Sequence, residues 1–289
     1  MSIEVNQVTY TYMPQTAFER TALSKITLTI EEGVLTAIAG HTGSGKSTLV
    51  QHLNGILHPT QGSVMVDGQD LAAKDKTAIT ARRRVGMVFQ YPEHQLFEET
   101  VEEDIAFGPK NLGLSAEEIA RRVRRAMELV RLDYDTYRER SPFQLSGGQK
   151  RRAAIAGVLA MEPKYLVLDE PTAGLDPRGR DDLLQRIVRL HREKKMTVIF
   201  VSHNMDDIAR LADRVIFMHE GRVLLDAPPR EAFQEKLALG TAGLEEPETV
   251  TLLEKLQQRG LAVNTDAFTA EETAQRIIRA LRKRGGGQC

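Results

Sequence analysis

A single cysteine, Cys289, stands at the end of this 289-residue sequence, so no internal disulfide can form and a reducing compartment is expected. No apolar run approaches the roughly 20 residues that a membrane-spanning helix needs. The first residues also lack the basic and apolar segments of a signal peptide. A soluble or membrane-peripheral protein is therefore expected. Net charge is lacking too: 39 Lys and Arg against 40 Asp and Glu leave −1. That balance gives no overall bias toward nucleic acid. Short basic runs exist (Arg82-Arg-Arg84, Arg121-Arg122 with Arg124-Arg125, Lys150-Arg-Arg152, Arg282-Lys-Arg284). They read as solvated helix faces rather than polyanion sites.

What the chain does carry is three short stretches, far apart in sequence, that make sense around one nucleoside triphosphate. Gly40-His-Thr-Gly-Ser-Gly-Lys-Ser47 matches the phosphate loop G-x-x-x-x-G-K-[ST]. Backbone N–H groups must wrap the phosphates there, and glycines keep Cβ atoms out of the way. Lys46 supplies a point charge for the outer phosphates, and the Ser47 hydroxyl a ligand for Mg²⁺. The loop leaves the apolar run Leu35 to Ala39 and enters a helical pattern from Ser47 to Asn54. A helix dipole then points at the anion. His41, Thr42, Gly43, Ser44 and Thr48 complete the candidate phosphate contacts.

The second stretch is Leu145-Ser-Gly-Gly-Gln149. Alone it is a serine N-cap followed by glycines that loosen the first helical turn. The third, Tyr165-Leu-Val-Leu-Asp-Glu170, reads as a buried parallel strand ending in two carboxylates. Ligands of open α/β sheets bind beyond the carboxyl ends of the strands. Asp169 is thus placed to hold Mg²⁺ through water, and Glu170 to orient or deprotonate an attacking water.

Taken in order, these residues resemble the nucleotide-binding subunits of ATP-binding cassette (ABC) proteins, over residues 2–230. The resemblance implies an α/β P-loop NTPase fold with a mainly parallel sheet core and an antiparallel β subdomain. It also implies an ATPase domain over 1–235, with an α-helical subdomain over 92–160, followed by a small C-terminal helical extension over 236–289. ATP and Mg²⁺ are the implied ligands. Gln90, after the strand pattern Val85 to Phe89, would sense Mg²⁺ and the attacking water, joining Ser47 and Asp169 at the metal. His203, after Val198 to Val201, would contact the γ-phosphate. Tyr12 stands where the family stacks an aromatic ring on adenine, with Tyr10 the competing choice. Ser146, Gly147, Gly148 and Gln149 would face the γ-phosphate held by a second subunit, so that two chains clamp two ATP molecules head to tail. Ala173-Gly-Leu-Asp176 matches the loop that touches that subunit, although the family more often has serine in place of Ala173.

The segment from Tyr91 to Ser115 is similar to that of the ATPases of energy-coupling factor (ECF) transporters, prokaryotic importers of vitamins and transition metals. It implies an extra short helix around Leu96 to Phe107, lining a groove for a membrane-embedded T component. Glu93, Glu98 and Glu99 are candidates to meet basic residues there, while a separate S component would select the substrate. The chain resembles the second of two paired, non-identical ATPases. A homodimeric cobalt or nickel importer ATPase shares every motif, and a soluble ABC ATPase of DNA repair or translation is a further alternative. The implied location is the cytoplasmic face of the cell membrane, with no nucleic-acid partner.

Two helix starts carry their own signals. Ser115-x-x-Glu118 is a capping box opening a helix with Ile119, Val123, Met127 and Val130 on one face. Pro228-Pro229 and the stretch Gly240 to Pro247 read as connections. Helical patterns then run from Thr249 to Arg259 and from Thr269 to Lys283. The latter has a Thr269-x-x-Glu272 box and the apolar stripe Ala274, Ile277, Ile278, Leu281. This extension either packs on its own body or pairs with the same region of a partner. Gly285-Gly-Gly-Gln-Cys289 reads as a frayed tail.

Overall fold

The computed structural model describes residues 1–285; of the tail expected over Gly285 to Cys289, Gly285 ends the last helix and the rest lies outside the described residues. The strands are β1 (Ser2–Tyr12), β2 (Arg20–Glu31), β3 (Leu35–Ala39), β4 (Gln61–Val66), β5 (Gln69–Asp70), β6 (Val85–Val88), β7 (Tyr165–Asp169), β8 (Thr197–Val201), β9 (Arg214–His219) and β10 (Arg222–Ala227). A four-stranded antiparallel sheet has the order β2-β1-β4-β5. A six-stranded sheet has the order β10-β9-β3-β8-β7-β6 and is parallel except where β10 pairs with β9. The α/β expectation holds.

β3, β7 and β8 are buried at every position. They read as unbroken apolar runs because both faces of the sheet are covered. Alternation survives in which core each residue joins. Tyr165 and Val167 face a core shared with the four-stranded sheet and the helix Lys46–Leu53, whereas Leu166 and Leu168 face a larger core under the other helices. β8 divides likewise, Ile199 and Val201 against Val198 and Phe200.

The helices Val101–Asn111, Ala116–Leu129 and Gly147–Leu159 pack on one another to form the helical arm. The helix expected around Leu96 starts later. Residues 92–95 form a 3₁₀ turn, and Thr100 caps the helix by accepting from the Glu103 N–H. The intervening Phe97 and Glu98 amides donate instead to Asp104. Burial pushes that carboxyl's pKa up, against the two amides that favour its charge.

The two expected capping boxes are only half formed. Ser115 accepts from the Glu118 N–H, but the Glu118 carboxylate turns to Arg121 and Arg122. Those two guanidiniums hold it down to about 2. Thr269 accepts from the Glu272 N–H, while the Glu272 carboxylate takes the Phe268 N–H. A complete box stands at Ser146 and Gln149, whose side chains each accept from the other's backbone N–H.

Beyond β10, residues read as a connection are partly helical: Pro229–Ala232 and Lys236–Ala242, the latter closed by Gly243 at φ 65°. Leu239 and Ala242 join the main core, and Phe268 packs on Phe233 at 5.7 Å. The helices Glu248–Gln258 and Ala270–Gly285 enclose a small core of their own around Leu253, Leu261, Val263, Ala267 and Ala280. The stripe of the last helix is shifted from the expected one. Thr273, Ile277 and Ala280 face inward, and Ala274, Ile278 and Leu281 are exposed.

Candidate active site

Adjacent parallel strands deliver the candidate residues to one edge. β6 and β7 run in register with Val88 opposite Leu168, and continuing that pairing sets Gln90 level with Glu170. β7 and β8 pair Asp169 with Val201, which brings His203 just beyond the same line. The phosphate loop leaves β3, on the far side of β8, at that same end.

Glu170 is the centre of the group. Gln90 Nε2 donates to its Oε2 at 3.0 Å, and His203 Nε2 lies 2.5 Å from its Oε1. The residue sits at φ 47°, a left-handed conformation that costs about 1 kcal/mol or more for a non-glycine residue and is maintained only by its surroundings. The three residues expected to act on the attacking water therefore meet around one carboxylate.

The glycines of the phosphate loop have a reason inside the protein as well as at a ligand. A Cβ on Gly40 would stand 2.3 Å from the Met218 carbonyl oxygen, and one on Gly45 2.7 Å from that of Ala22. At these two positions the loop is wedged against β9 and β2 with no room for a Cβ. Lys46 is buried, its Nζ donating to the carbonyls of Gly40 (2.7 Å) and His41 (3.0 Å). Burial lowers its pKa, partly offset by Glu170 and Asp169. The Thr48 hydroxyl lies 3.1 Å from that of Tyr12. Tyr12 is exposed there, whereas Tyr10 packs into the core against His52, and burial raises its pKa.

Asp169 is buried, and its Oδ1 has no hydrogen-bond partner. Burial raises its pKa, with the Ser47 hydroxyl, Lys46 and His203 opposing and Glu170 adding to the rise. A carboxylate oxygen left unpaired beside a serine hydroxyl suits a hard, oxygen-seeking cation such as Mg²⁺, which keeps several waters and needs few protein ligands. No cluster of three His, Cys, Asp or Glu side chains fit for a metal occurs among the described residues.

A stability prediction follows. With its folded-state pKa raised, Asp169 loses its proton later in the folded than in the unfolded chain. Its penalty therefore grows as pH rises from 3.8 through the folded value and is complete above that value. Without Mg²⁺ and nucleotide, Asp169→Asn is expected to raise Tm at pH 7 by about 2–4 °C, or ~1 kcal/mol. It should also remove Mg²⁺-dependent ATP turnover. A thermal melt showing a lower Tm would overturn the assigned burial cost.

Ser146, Gly147 and Gly148 are exposed, and Gln149 reaches only Tyr137 at 3.0 Å besides its own cap. A Cβ on Gly147 or Gly148 would meet nothing within 4 Å among the described residues. Each glycine costs a helix about 1 kcal/mol relative to alanine, yet no contact among the described residues requires either.

Two residues escaped the sequence reading. Arg151, taken as part of a solvated basic run, is 3% exposed. Glu93, taken as a surface acid free for a membrane partner, makes a bidentate pair with it at 3.1 Å. In two other runs some members are also tied down, Arg84 to Asp67, Arg82 to the Leu71 and Ala73 carbonyls, and Arg122 to Glu118, while Arg121, Arg124, Arg125, Arg282 and Lys283 are exposed as expected. Beside the Glu93 turn lies an apolar groove of about 400 Å³, lined by Leu96, Phe97, Phe107, Leu112, Val158 and Met161 among others. Phe97 and Phe107 meet edge to face at 5.0 Å and stay exposed. No helix among the described residues is long and apolar enough to cross a membrane.

Comparison with known proteins gives consistent relatives. The family model described as "ABC transporter" matches residues 23–173. Over 282 residues the chain is 52% identical to the energy-coupling factor transporter ATP-binding protein EcfA2 of Clostridium perfringens, covering 98% of this chain and 99% of that one. The protein of the same name from Enterococcus faecalis is 48% identical over 287 residues, with 99% of each covered. Among solved structures, cbiO1 of Clostridium perfringens, described as part of the ABC transporter complex cbiONQ, superposes with a TM-score of 0.73. It is 38% identical, with 89% of this chain and 96% of that one covered. The ATP-binding cassette MJ0796, solved as a dimer in a post-hydrolysis state bound to ADP and Pi, gives a TM-score of 0.70. It is 29% identical, with 78% of this chain and 98% of that one covered.

Proposed function

We infer, from a chain that belongs to the ABC transporter family and within it to the ATP-binding subunits of energy-coupling factor transporters, that its ATP binding and hydrolysis drive uptake of a vitamin or a transition metal ion. The observation that carries the hydrolytic half is the Glu170 carboxylate, gripped by Gln90 and His203 on the line of strand ends that also bears Asp169.

Phosphates of ATP would lie along the loop 40–48, with the Lys46 ammonium exchanging loop carbonyls for phosphate oxygens. Tyr12, exposed beside Thr48, is the better-placed ring for adenine than the core-packed Tyr10. Mg²⁺ would be held by Ser47, Asp169 and Gln90, and when bound it neutralises charge developing on the phosphates. Glu170 takes or orients a water proton at its carboxylate, with Gln90 and His203 fixing its orientation.

The signature glycines support a two-chain site. Exposed helix-start amides at Gly147 and Gly148, with no neighbour of their own, suit a γ-phosphate presented by a second subunit's loop. Either a non-identical ATPase or a second copy would satisfy that geometry. The exposed stripe Ala274, Ile278, Leu281 offers the C-terminal extension a face for the same partner. The apolar groove beside Phe97 would receive helices of a T component, with an S component binding the substrate. The chain would then act at the cytoplasmic face of the membrane.

Isolation from native membranes in mild detergent tests these partners. A second, non-identical ATPase with integral membrane proteins is the expected recovery. Copies of this chain alone on a membrane scaffold would replace the paired reading with the homodimeric one. Recovery free of any membrane protein would overturn transport.

A further inference from the structure

Arg151 is the only arginine among the described residues that is buried. A guanidinium cannot shed its charge, so burying it requires that its donors be met. They are met by two loops from outside its own helix. Nε and one terminal nitrogen hold both Glu93 oxygens at 3.1 Å, on the 3₁₀ turn that follows Gln90. The other terminal nitrogen donates to the carbonyls of Ala173 (2.6 Å) and Pro171 (3.3 Å), on the loop that follows Glu170.

Those two loops are alike in form. Each leaves one of two paired strands, β6 and β7, through a residue at positive φ and then a proline: Tyr91 (φ 56°) before Pro92, Glu170 (φ 47°) before Pro171. Positive φ at a bulky residue persists only when neighbouring contacts impose it. The direct link between the loops is the Gln90–Glu170 bond at 3.0 Å, which is exposed to solvent and weak alone. Arg151 is the buried link behind it.

We propose that Arg151 is a positioning residue that locks the glutamine loop to the Glu170 loop through Glu93, so that displacement at the apolar groove is transmitted to the catalytic carboxylate. The groove wall begins at Gln95 and Leu96, two and three residues beyond Glu93. Its floor includes Ala153 and Ala154, on the helix that carries Arg151. A segment pressing there would move both ends of the pair. Lysine cannot take the place of Arg151, because a point ammonium does not span a carboxylate and two carbonyls at once.

This inference rests on the ATPase reading, and its test separates the two. In the complex purified with the full chain, Arg151→Lys is expected to lower kcat for Mg²⁺-ATP about 10²-fold, the scale of a 1 Å misplacement. ATP Kd should stay within about twofold, because no phosphate contact is lost. Glu93→Gln, which keeps one acceptor and the fold, should lower kcat about tenfold. It should also speed amide hydrogen exchange over 172–175, a loop to which Glu93 makes no hydrogen bond. Exchange that changes only near residues 90–95, or wild-type kcat in Arg151→Lys, would overturn the bridge. A wild-type complex without ATP turnover would instead sink the ATPase reading, and the exchange measurement would still decide the bridge.

Discussion

Glu170→Gln is expected to lower ATP turnover by about 10²–10⁴-fold, the usual worth of a positioned general base, while ATP still binds. The substitution keeps shape and most contacts. Gln90 Nε2 retains an acceptor where it now donates at 3.0 Å, and an amide nitrogen facing His203 Nε2 can donate to a neutral imidazole. What is lost is the proton-accepting charge. Glu170 is assigned to the attacking water rather than to the phosphates, so ATP Kd should move by no more than about threefold. A melt in ATP should therefore still show the nucleotide-dependent rise in Tm, about 2.7 kcal/mol at a hundred times Kd. Single-turnover hydrolysis with wild-type rate would reject Glu170 as the base. Loss of binding together with turnover would mean that the carboxylate supports the phosphate loop instead.

The site was legible where the chemistry is local. A phosphate loop, a strand ending in Asp169-Glu170 and a strand followed by His203 each sit within a few residues, and parallel strands align their ends without further instruction. The apolar runs read at Leu35 to Ala39 and from Tyr165 coincide with the fully buried strands β3 and β7, because two-sided burial leaves an uninterrupted apolar signal. What escaped depends on distant neighbours. Lys150-Arg-Arg152 gives no local hint that its middle member turns inward, since the acid that neutralises Arg151 lies 58 residues earlier.

The helix starts at Ser115 and Thr269 came out as expected, but their reciprocal boxes did not, for a related reason. An S/T-x-x-E spacing permits a reciprocal box, but at Glu118 two arginines one turn on compete for the carboxylate and win it. In the last helix, an apolar stripe and its neighbour differ by one position, and only packing against Leu253 and Val263 selects which is buried. Tyr10 and Tyr12 posed the same problem and were separated only by what lies beneath Tyr10. Helical order at 236–242 was hidden by the glycines around it, and the segment's purpose is tertiary. Its Ala242 carbonyl accepts from the His41 N–H at 3.2 Å, tying the C-terminal region to the phosphate loop.

Lys46→Ala is expected to act in the opposite way to Glu170→Gln, removing nucleotide affinity itself by about 10²-fold or more, as loss of a desolvated charge-assisted contact does. The stability sign is the informative part. Because burial lowers the Lys46 pKa below 10.5, the folded state penalises its charged form. That penalty is complete below the folded-state value and is relieved as pH rises toward 10.5. In nucleotide-free protein at pH 7, the alanine variant sheds this cost but also leaves the Gly40 and His41 carbonyls without their donor. The two changes oppose each other, so its Tm should lie near that of the wild type. Added Mg²⁺-ATP should then raise Tm in the wild type and in Glu170→Gln but not in Lys46→Ala. An undiminished ATP shift in Lys46→Ala would remove the lysine from phosphate binding. A collapse of Tm without nucleotide would make it a structural clasp of the loop. Only separation of the two variants, one binding without turnover and the other without binding, fits a lysine that holds phosphate and a glutamate that acts on water.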